Sequence, residues 1–156
     1  MQIYLAHSFS LRKKAVEIQA RLESIPHKNI KVLNPFFRGK ELREDIKEIE
    51  EGKSRPYCIF SKEDAAKIVI PDLEEIRKSD VLLVLIDDKG TLGTSCEVMY
   101  AWMLHIPIFI VCFDKEMLGH PWAVYLTGQN VFDETRIDEV IEKLSTLALL
   151  FCFRVE

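Results

Sequence analysis

Cysteine is sparse in this chain and nowhere paired: Cys58, Cys96, Cys112 and Cys152 are the only four in 156 residues, and none stands in C-x-x-C spacing. His7, His27, His105 and His120 show no ligand-like spacing with one another or with the cysteines, so no metal site is expected. No apolar run nears the roughly 20 residues that cross a bilayer; the longest are Val81 to Ile86, Ile106 to Phe113 and Leu147 to Phe153. Basic charge is not in excess either. With 21 basic and 25 acidic side chains the net charge is −4, which argues against a general nucleic-acid binder and its basic stripe, while a substrate with one phosphate stays open. The opening Met1-Gln2-Ile3-Tyr4-Leu5 has no basic stretch ahead of an apolar one. No secretory leader is therefore expected, and the thiols read as reduced in a cytoplasmic protein. With no repeats, low-complexity tracts or linkers, the expectation is one domain over residues 1–156.

What is present is apolar runs alternating with helical periodicity. Ile3 to Ala6 reads as a buried first strand, and Ala15, Ile18 and Leu22 as the apolar face of a helix that Ser10 could cap and Pro26 stops. Ile30 to Leu33 is a second strand, and a surface helix is expected from about Glu41 to Glu51, ended by Gly52. Ser61-Lys62-Glu63-Asp64 has capping-box form. Pro71 either kinks the helix that follows or starts another at its first position. Val81 to Ile86 is apolar throughout, as a strand covered on both faces is. A loop with Gly90 and Gly93, a helix from Thr94 to His105, a strand from Pro107 to Phe113, a short strand from Asn130 to Phe132 and a helix from Arg136 to Leu149 complete the pattern. The tail from Leu150 to Glu156 reads as a further strand or a subunit contact. This order predicts a three-layer α/β fold, flavodoxin- or Rossmann-like, with a mostly parallel five-stranded sheet and helices on both faces.

Ligands of such sheets collect beyond the carboxyl ends of the strands, near the switch in strand order. That nominates His7 to Ser10, Asn34 to Phe37, Asp87 to Glu97, and Phe113-Asp114. Glu97 can point into that crevice, or it can close a capping box with Thr94 in Thr94-Ser95-Cys96-Glu97. Asp72, one place after Pro71, is either a second acid of the same site or an acid favoured by a helix start. Tyr4 is either a site residue or a buried strand tyrosine.

Taken together, several segments resemble the nucleoside 2-deoxyribosyltransferase family. They are Ile3-Tyr4-Leu5-Ala6, Asp72 to Leu85 with its D-x-x-x-I-x-x-x-D helix running into an apolar strand, Gly93-Thr94-Ser95-Cys96-Glu97-Val98-Met99-Tyr100-Ala101, and Ile106-Pro107 leading into Ile108 to Val111. The resemblance spans residues 3 to about 132. It implies that Glu97 is the nucleophile at C1′ of a 2′-deoxynucleoside, that Asp72 assists at the leaving base, and that Tyr4 orients Glu97. It also implies a homodimer or higher homo-oligomer in which a neighbouring subunit closes the pocket, with Trp122 to Asn130, above all Tyr125, Gln129 and Asn130, as the contact segment. A related branch, the deoxynucleoside 5′-monophosphate N-hydrolases, binds phosphate with a Ser- and Arg-containing loop after strand one; Ser8, Ser10 and Arg12 would serve here, on helix-start N–H groups. The chain departs from the pattern in having no glycine from His7 to Lys14 and in placing Val98-Met99 where the family has a glycine after its glutamate.

The chemistry fits independently of the name. Breaking an N-glycosidic bond builds positive charge at the anomeric carbon, which a nearby carboxylate stabilises. If that carboxylate attacks, the sugar is held as an ester and a second group manages the proton on the base. A retaining double displacement wants the two carboxyls roughly 5 Å apart and their pKa values pushed apart. Further expected contacts to sugar and base are His7, Ser8, Ser10, Asp87, Asp88, Gly93 and Thr94. Phe36 and Phe37 are the preferred lid, and Tyr57, Trp102 and Trp122 are other aromatics that could stack on a base. The expected partners are a small-molecule nucleoside or nucleotide and a free base, with no nucleic acid and no membrane, and no cofactor is required for group transfer on carbon. Two alternatives remain: a nucleoside 5′-monophosphate N-glycosidase, in which water takes the intermediate, and a non-catalytic module of the same fold. A receiver domain's acidic pair, a flavodoxin's glycine-rich phosphate loop, a Walker A segment and G-x-G-x-x-G are all absent.

Overall fold

In the computed structural model, which describes residues 1–26, 29–38, 41–52, 61–88 and 91–152, strands and helices follow one another as the sequence pattern predicts, with two additions, a hairpin after the second strand and a short helix, Pro121–Thr127, ahead of the last strand. β1 (Gln2–His7), α1 (Arg12–Glu23) and β2 (Lys31–Leu33) are followed by a two-strand hairpin, β3 (Phe37–Arg38) with β4 (Glu41–Leu42), and by α2 (Glu44–Glu50). Then come α3 (Lys62–Arg77), β5 (Val81–Ile86), α4 (Leu92–Met103), β6 (Ile108–Cys112), α5 (Pro121–Thr127), β7 (Val131–Asp133) and α6 (Ile137–Cys152). The five-stranded sheet runs β2-β1-β5-β6-β7 with every neighbouring pair parallel. The order reverses between β1 and β5, and there the helices leave the sheet on opposite faces, opening a crevice at the strand ends.

Strand alternation divides the core in two. Ile3 and Leu5 of β1 and Val81, Leu83 and Leu85 of β5 face α1 and α6, where they meet Ala15, Ile18, Leu22, Val140 and Leu144. Tyr4 and Ala6 of β1 and Leu82 and Val84 of β5 face α3, α4 and α5, meeting Ile76, Val98, Ala101 and Ala123. The result is the three-layer α/β arrangement expected. Among the described residues no helix is long and apolar enough to cross a membrane.

Several boundaries differ, each for an identifiable reason. The expected helix from Glu41 starts three residues later, because Glu41 and Leu42 pair with Arg38 and Phe37 and Arg43 stays extended (φ −58°, ψ 145°). Gly52, with φ +71°, follows the end of α2, as expected of a left-handed position after a helix. Ser61 caps α3 by accepting the Asp64 N–H at 3.1 Å. α3 then runs unbroken through Pro71, so no second helix starts there. Ser10 caps nothing: it lies in a 3-10 turn, Phe9–Leu11, and α1 has no side-chain cap. α4 begins two residues before Thr94, capped by Thr91, whose hydroxyl accepts the Thr94 N–H at 3.3 Å. The expected tail strand is instead helix as far as Cys152, with Leu147 and Ala148 against the core; residues 153–156 lie outside the described residues. Cys96 and Cys112 are free thiols, and burial pushes Cys112 up to about 11, a structural rather than a reactive thiol.

Leu83 is fully enclosed in β5 between two paired strands. Leu83→Ala is expected to lower stability by about 2–5 kcal/mol, read as a lower denaturant midpoint with an unchanged m-value.

Candidate active site

Tyr4 is an even-numbered residue of β1, so its ring is carried to the α3–α4 side of the sheet. The cap at Thr91 is what frees Glu97 to meet it. Because α4 starts at Leu92, Glu97 falls in the second turn, out of reach of the helix-start N–H groups, and the capping box with Thr94 does not form. The Glu97 carboxylate turns to β1 instead, where Tyr4 Oη donates to its Oε1 at 2.7 Å. Among the described residues this is its hydrogen bond, which leaves Oε2 without one.

Burial pushes the Glu97 carboxyl above its ordinary value, and the Tyr4 hydrogen bond pulls it partly back. The direction follows from magnitudes: a hydrogen bond to a charged group returns about 1.5–3 kcal/mol, whereas removing a carboxylate from water costs several kcal/mol. The Tyr4 phenol is held far above its usual range by burial, then by the negative charge of Glu97 and of Asp72, by its bond to Glu97, and by the charge of Glu75. Tyr4 therefore stays a donor. The charge of Asp72, at a part-exposed position on α3, thus acts on the same phenol that donates to Glu97. One helical turn on, Glu75 adds a third acid.

Two residues here escape sequence reasoning. Glu75 is signalled by its i, i+3 relation to Asp72. Arg43 carries no signal, since it stands in a stretch full of charge. Its side chain is buried, Nη1 donates to the Pro35 carbonyl at 2.9 Å, and the same nitrogen lies 3.9 Å from Asp72 Oδ2. Arg43 thereby ties the segment after β2 to the Asp72 carboxylate.

A second group gathers at the ends of β1 and β5. Ser10 Oγ donates to Asp87 Oδ2 at 2.5 Å, Ser8 Oγ reaches Asp87 Oδ1 at 3.4 Å, and the two serine oxygens are 2.7 Å apart. His7 is buried between the Ser8 carbonyl and Asn34 Oδ1, each 3.0 Å from a ring nitrogen. Burial lowers its pKa, and the Phe36 ring packs on it edge-on at 4.4 Å. Arg12 turns away from this group. Its Nε donates to Glu50 at 2.8 Å, Nη1 donates to the Phe9 carbonyl, and the guanidinium lies 4.0 Å from the Phe9 ring centre.

The remaining expected residues are scattered. Phe37 parts from Phe36 and lines a groove against α1 with Lys13 and Val16. Asp88 is exposed. Gly93 is exposed in the first turn of α4, where an added Cβ would meet only Thr91 Oγ1, at 3.9 Å. Thr94 is buried, about one helical turn before Glu97 on α4, and lines a mostly apolar cavity of about 480 Å³ whose lining does not include Glu97. Val84, Val98, Met117, Trp122 and Leu126 also line that cavity. Trp102 and Tyr125 sit together with ring centres 6.2 Å apart, and Trp122 and Tyr125 are largely exposed. Asn130 donates to the Thr127 carbonyl, and Gln129 takes a left-handed conformation after Gly128. Tyr57, Cys58, Gly90 and His27 lie outside the described residues. Among the described residues no set of three His, Cys, Asp or Glu side chains is grouped to hold a metal ion.

The raised Glu97 pKa makes a signed prediction. A folded-state value above the unfolded one makes ionisation of Glu97 destabilising, so its neutral form is favoured at low pH and stability is lost as pH rises through the folded value. Glu97→Gln is expected to match wild type in thermal stability below the ordinary carboxyl value of 4.5 and to exceed it at pH 8. Tyr4→Phe, which removes the one interaction favouring the carboxylate, should raise the Glu97 value further in an NMR titration.

This geometry can be set beside known proteins. The family model of nucleoside 2-deoxyribosyltransferase matches residues 3–138. No curated protein matches the chain by sequence. Among solved structures, a 2-deoxyribosyltransferase from the psychrotolerant bacterium Bacillus psychrosaccharolyticus superimposes with a TM-score of 0.59 at 19% identity, over 90% of each chain. The Clostridium botulinum CMP N-glycosidase BcmB superimposes with a TM-score of 0.52 at 14% identity, over 94% of this chain and 99% of its own. These likenesses show a shared fold, and the match over residues 3–138 shows more: the chain belongs to the nucleoside 2-deoxyribosyltransferase family.

Proposed function

We propose that the protein cleaves the N-glycosidic bond of a (deoxy)nucleoside through a covalent ester on Glu97 and passes the 2-deoxyribosyl group to another base. The observation that carries this reading is the 2.7 Å Tyr4–Glu97 hydrogen bond, with the Asp72 charge acting on the same phenol. Tyr4 anchors Oε1, so Oε2 is the attacking atom. It forms a bond to C1′ as the C1′–N bond breaks, and the base leaves with that electron pair. Asp72 supplies the proton the departing nitrogen needs. In the second half, a nitrogen of the incoming base attacks C1′, the ester bond returns its electrons to Glu97, and the Asp72 carboxylate takes the proton the new base gives up. Burial suits both halves: it favours a neutral ester over a buried charge and keeps water from the intermediate.

His7, Ser8, Ser10 and Asp87 serve the sugar end of the pocket in this reading, and Phe36 its wall. The chain works as one domain and as a homo-oligomer, the exposed Trp102, Met103, Trp122 and Tyr125 forming the face that a second copy covers. The Clostridium protein's N-glycosidase name fits the same two acids with water in place of the second base.

The experiment is a panel of nucleosides and 5′-monophosphates, each with and without a second free base. A new nucleoside is the expected product; free base alone would mean hydrolysis. Asp72→Asn is expected to slow turnover by about 10²-fold or more, most for bases that leave poorly unprotonated. Unchanged turnover in Glu97→Ala would remove Glu97 from the mechanism.

A further inference from the structure

The backbone N–H of Thr94 has two acceptors within reach of a helix start. In the structure it donates to the Thr91 hydroxyl at 3.3 Å, and that hydroxyl also meets the Thr94 hydroxyl at 2.9 Å. α4 therefore begins at Leu92, and Glu97 is left to Tyr4. The other acceptor is Glu97 itself, three residues on, in a T-x-x-E order that suits a helix starting at Thr94. In that register the Thr94 hydroxyl accepts the Glu97 N–H, the Glu97 carboxylate accepts the Thr94 N–H, and Tyr4 loses its partner. Little opposes the change. The turn that unwinds holds Leu92, which is 83% exposed, and exposed Gly93, a poor helix former. Ser95 adds one tie, its hydroxyl donating to the Thr91 carbonyl at 3.2 Å. Glu97 gains by leaving, since burial disfavours its charge where it stands and a helix start favours one.

We infer that Thr91 is a positioning residue: by occupying the Thr94 N–H it keeps the Glu97 carboxylate from capping its own helix, and so leaves that carboxylate on Tyr4. This rests on the reading that Glu97 attacks C1′, and adds to it a second, inactive register in which the nucleophile is bound by its own helix start. Thr91 acts through Thr94 and Glu97, not on the substrate.

The test follows turnover and the NMR titration of Glu97 in wild type, Thr91→Ser, Thr91→Ala, and Thr91→Ala combined with Thr94→Val. Thr91→Ala is expected to lower kcat about fivefold or more, the population that a lost hydroxyl cap releases, with KM changed much less. The Glu97 carboxyl should fall in the same variant from its raised value toward or below the ordinary 4.5, because a backbone N–H bonded to a carboxylate favours the charged form. Thr91→Ser keeps the hydroxyl and should follow wild type in both readouts. The double variant separates positioning from plain helix capping. Valine fills the space of Thr94 but cannot accept the Glu97 N–H, so the competing start is lost and both readouts should return most of the way to wild type. A cap that only stabilises the helix gives the reverse, a double variant worse than the single one. An unmoved Glu97 titration or an unchanged kcat in Thr91→Ala, or no recovery in the double variant, overturns the inference. The titration needs no substrate. It decides the role of Thr91 even if wild type turns over no nucleoside, a result that would overturn the glycosidic reading instead.

Discussion

A tyrosine hydroxyl on the first strand holding a glutamate on the fourth helix is the contact on which the rest of the site depends. It joins residues 93 positions apart, and it exists only because β1 lies beside β5 and α4 leaves the end of β5. The bond does not offset the burial of the carboxylate, which stays harder to ionise than in water. Such a group is costly as a structural element and useful as a reactive one. Its charge is destabilised by burial in the free protein, and on the proposed reading a bond to an electrophilic carbon would relieve that cost.

The sheet supplies the geometry that makes this possible. Alternation along β1 sends Ile3 and Leu5 into one core and Tyr4 into the other, so a single strand braces the fold with odd residues and serves the site with an even one. Parallel register then brings the ends of β1 and β5 together, placing Ser8, Ser10 and Asp87 in one hydrogen-bonded group. Arg43 extends the network from the segment after β2 to Asp72. Glu97, Asp72 and Asp87 thus come from three separate elements, α4, α3 and the end of β5, and the apolar α4–α5 cavity is lined by other residues of the helix that carries Glu97.

Much of this was legible in the residues. The inner strands announce themselves because both of their faces are covered, so Val81 to Ile86 is apolar without interruption. Tyr4, Asp72 and Glu97 were nominated by the family resemblance, and the structure joins Tyr4 to Glu97 by a hydrogen bond and sets the Asp72 charge on the same phenol. Illegible features share one physical cause: local signals that compete equally until a distant partner decides. Thr91-x-x-Thr94 and Thr94-x-x-Glu97 are both acceptable helix starts, and Tyr4, far away in sequence, decides between them by holding Glu97. Ser10 is as good a cap as any serine until Asp87 takes its hydroxyl. The β3–β4 hairpin and buried Arg43 lie in a polar stretch whose periodicity resembles a surface helix, and only contact with the Pro35 carbonyl and Asp72 distinguishes Arg43 from its charged neighbours.

The central claim is that a buried glutamate bonds to the anomeric carbon while a tyrosine holds its other oxygen. The direct measurement is acid quench of the protein in the presence of a 2′-deoxynucleoside without acceptor base, followed by proteolysis and mass spectrometry of the fragment containing Glu97. The account predicts a deoxyribosyl ester on Glu97, lost when an acceptor base is added before the quench. An unmodified Glu97 during active turnover, or the sugar carried on another side chain, would contradict it.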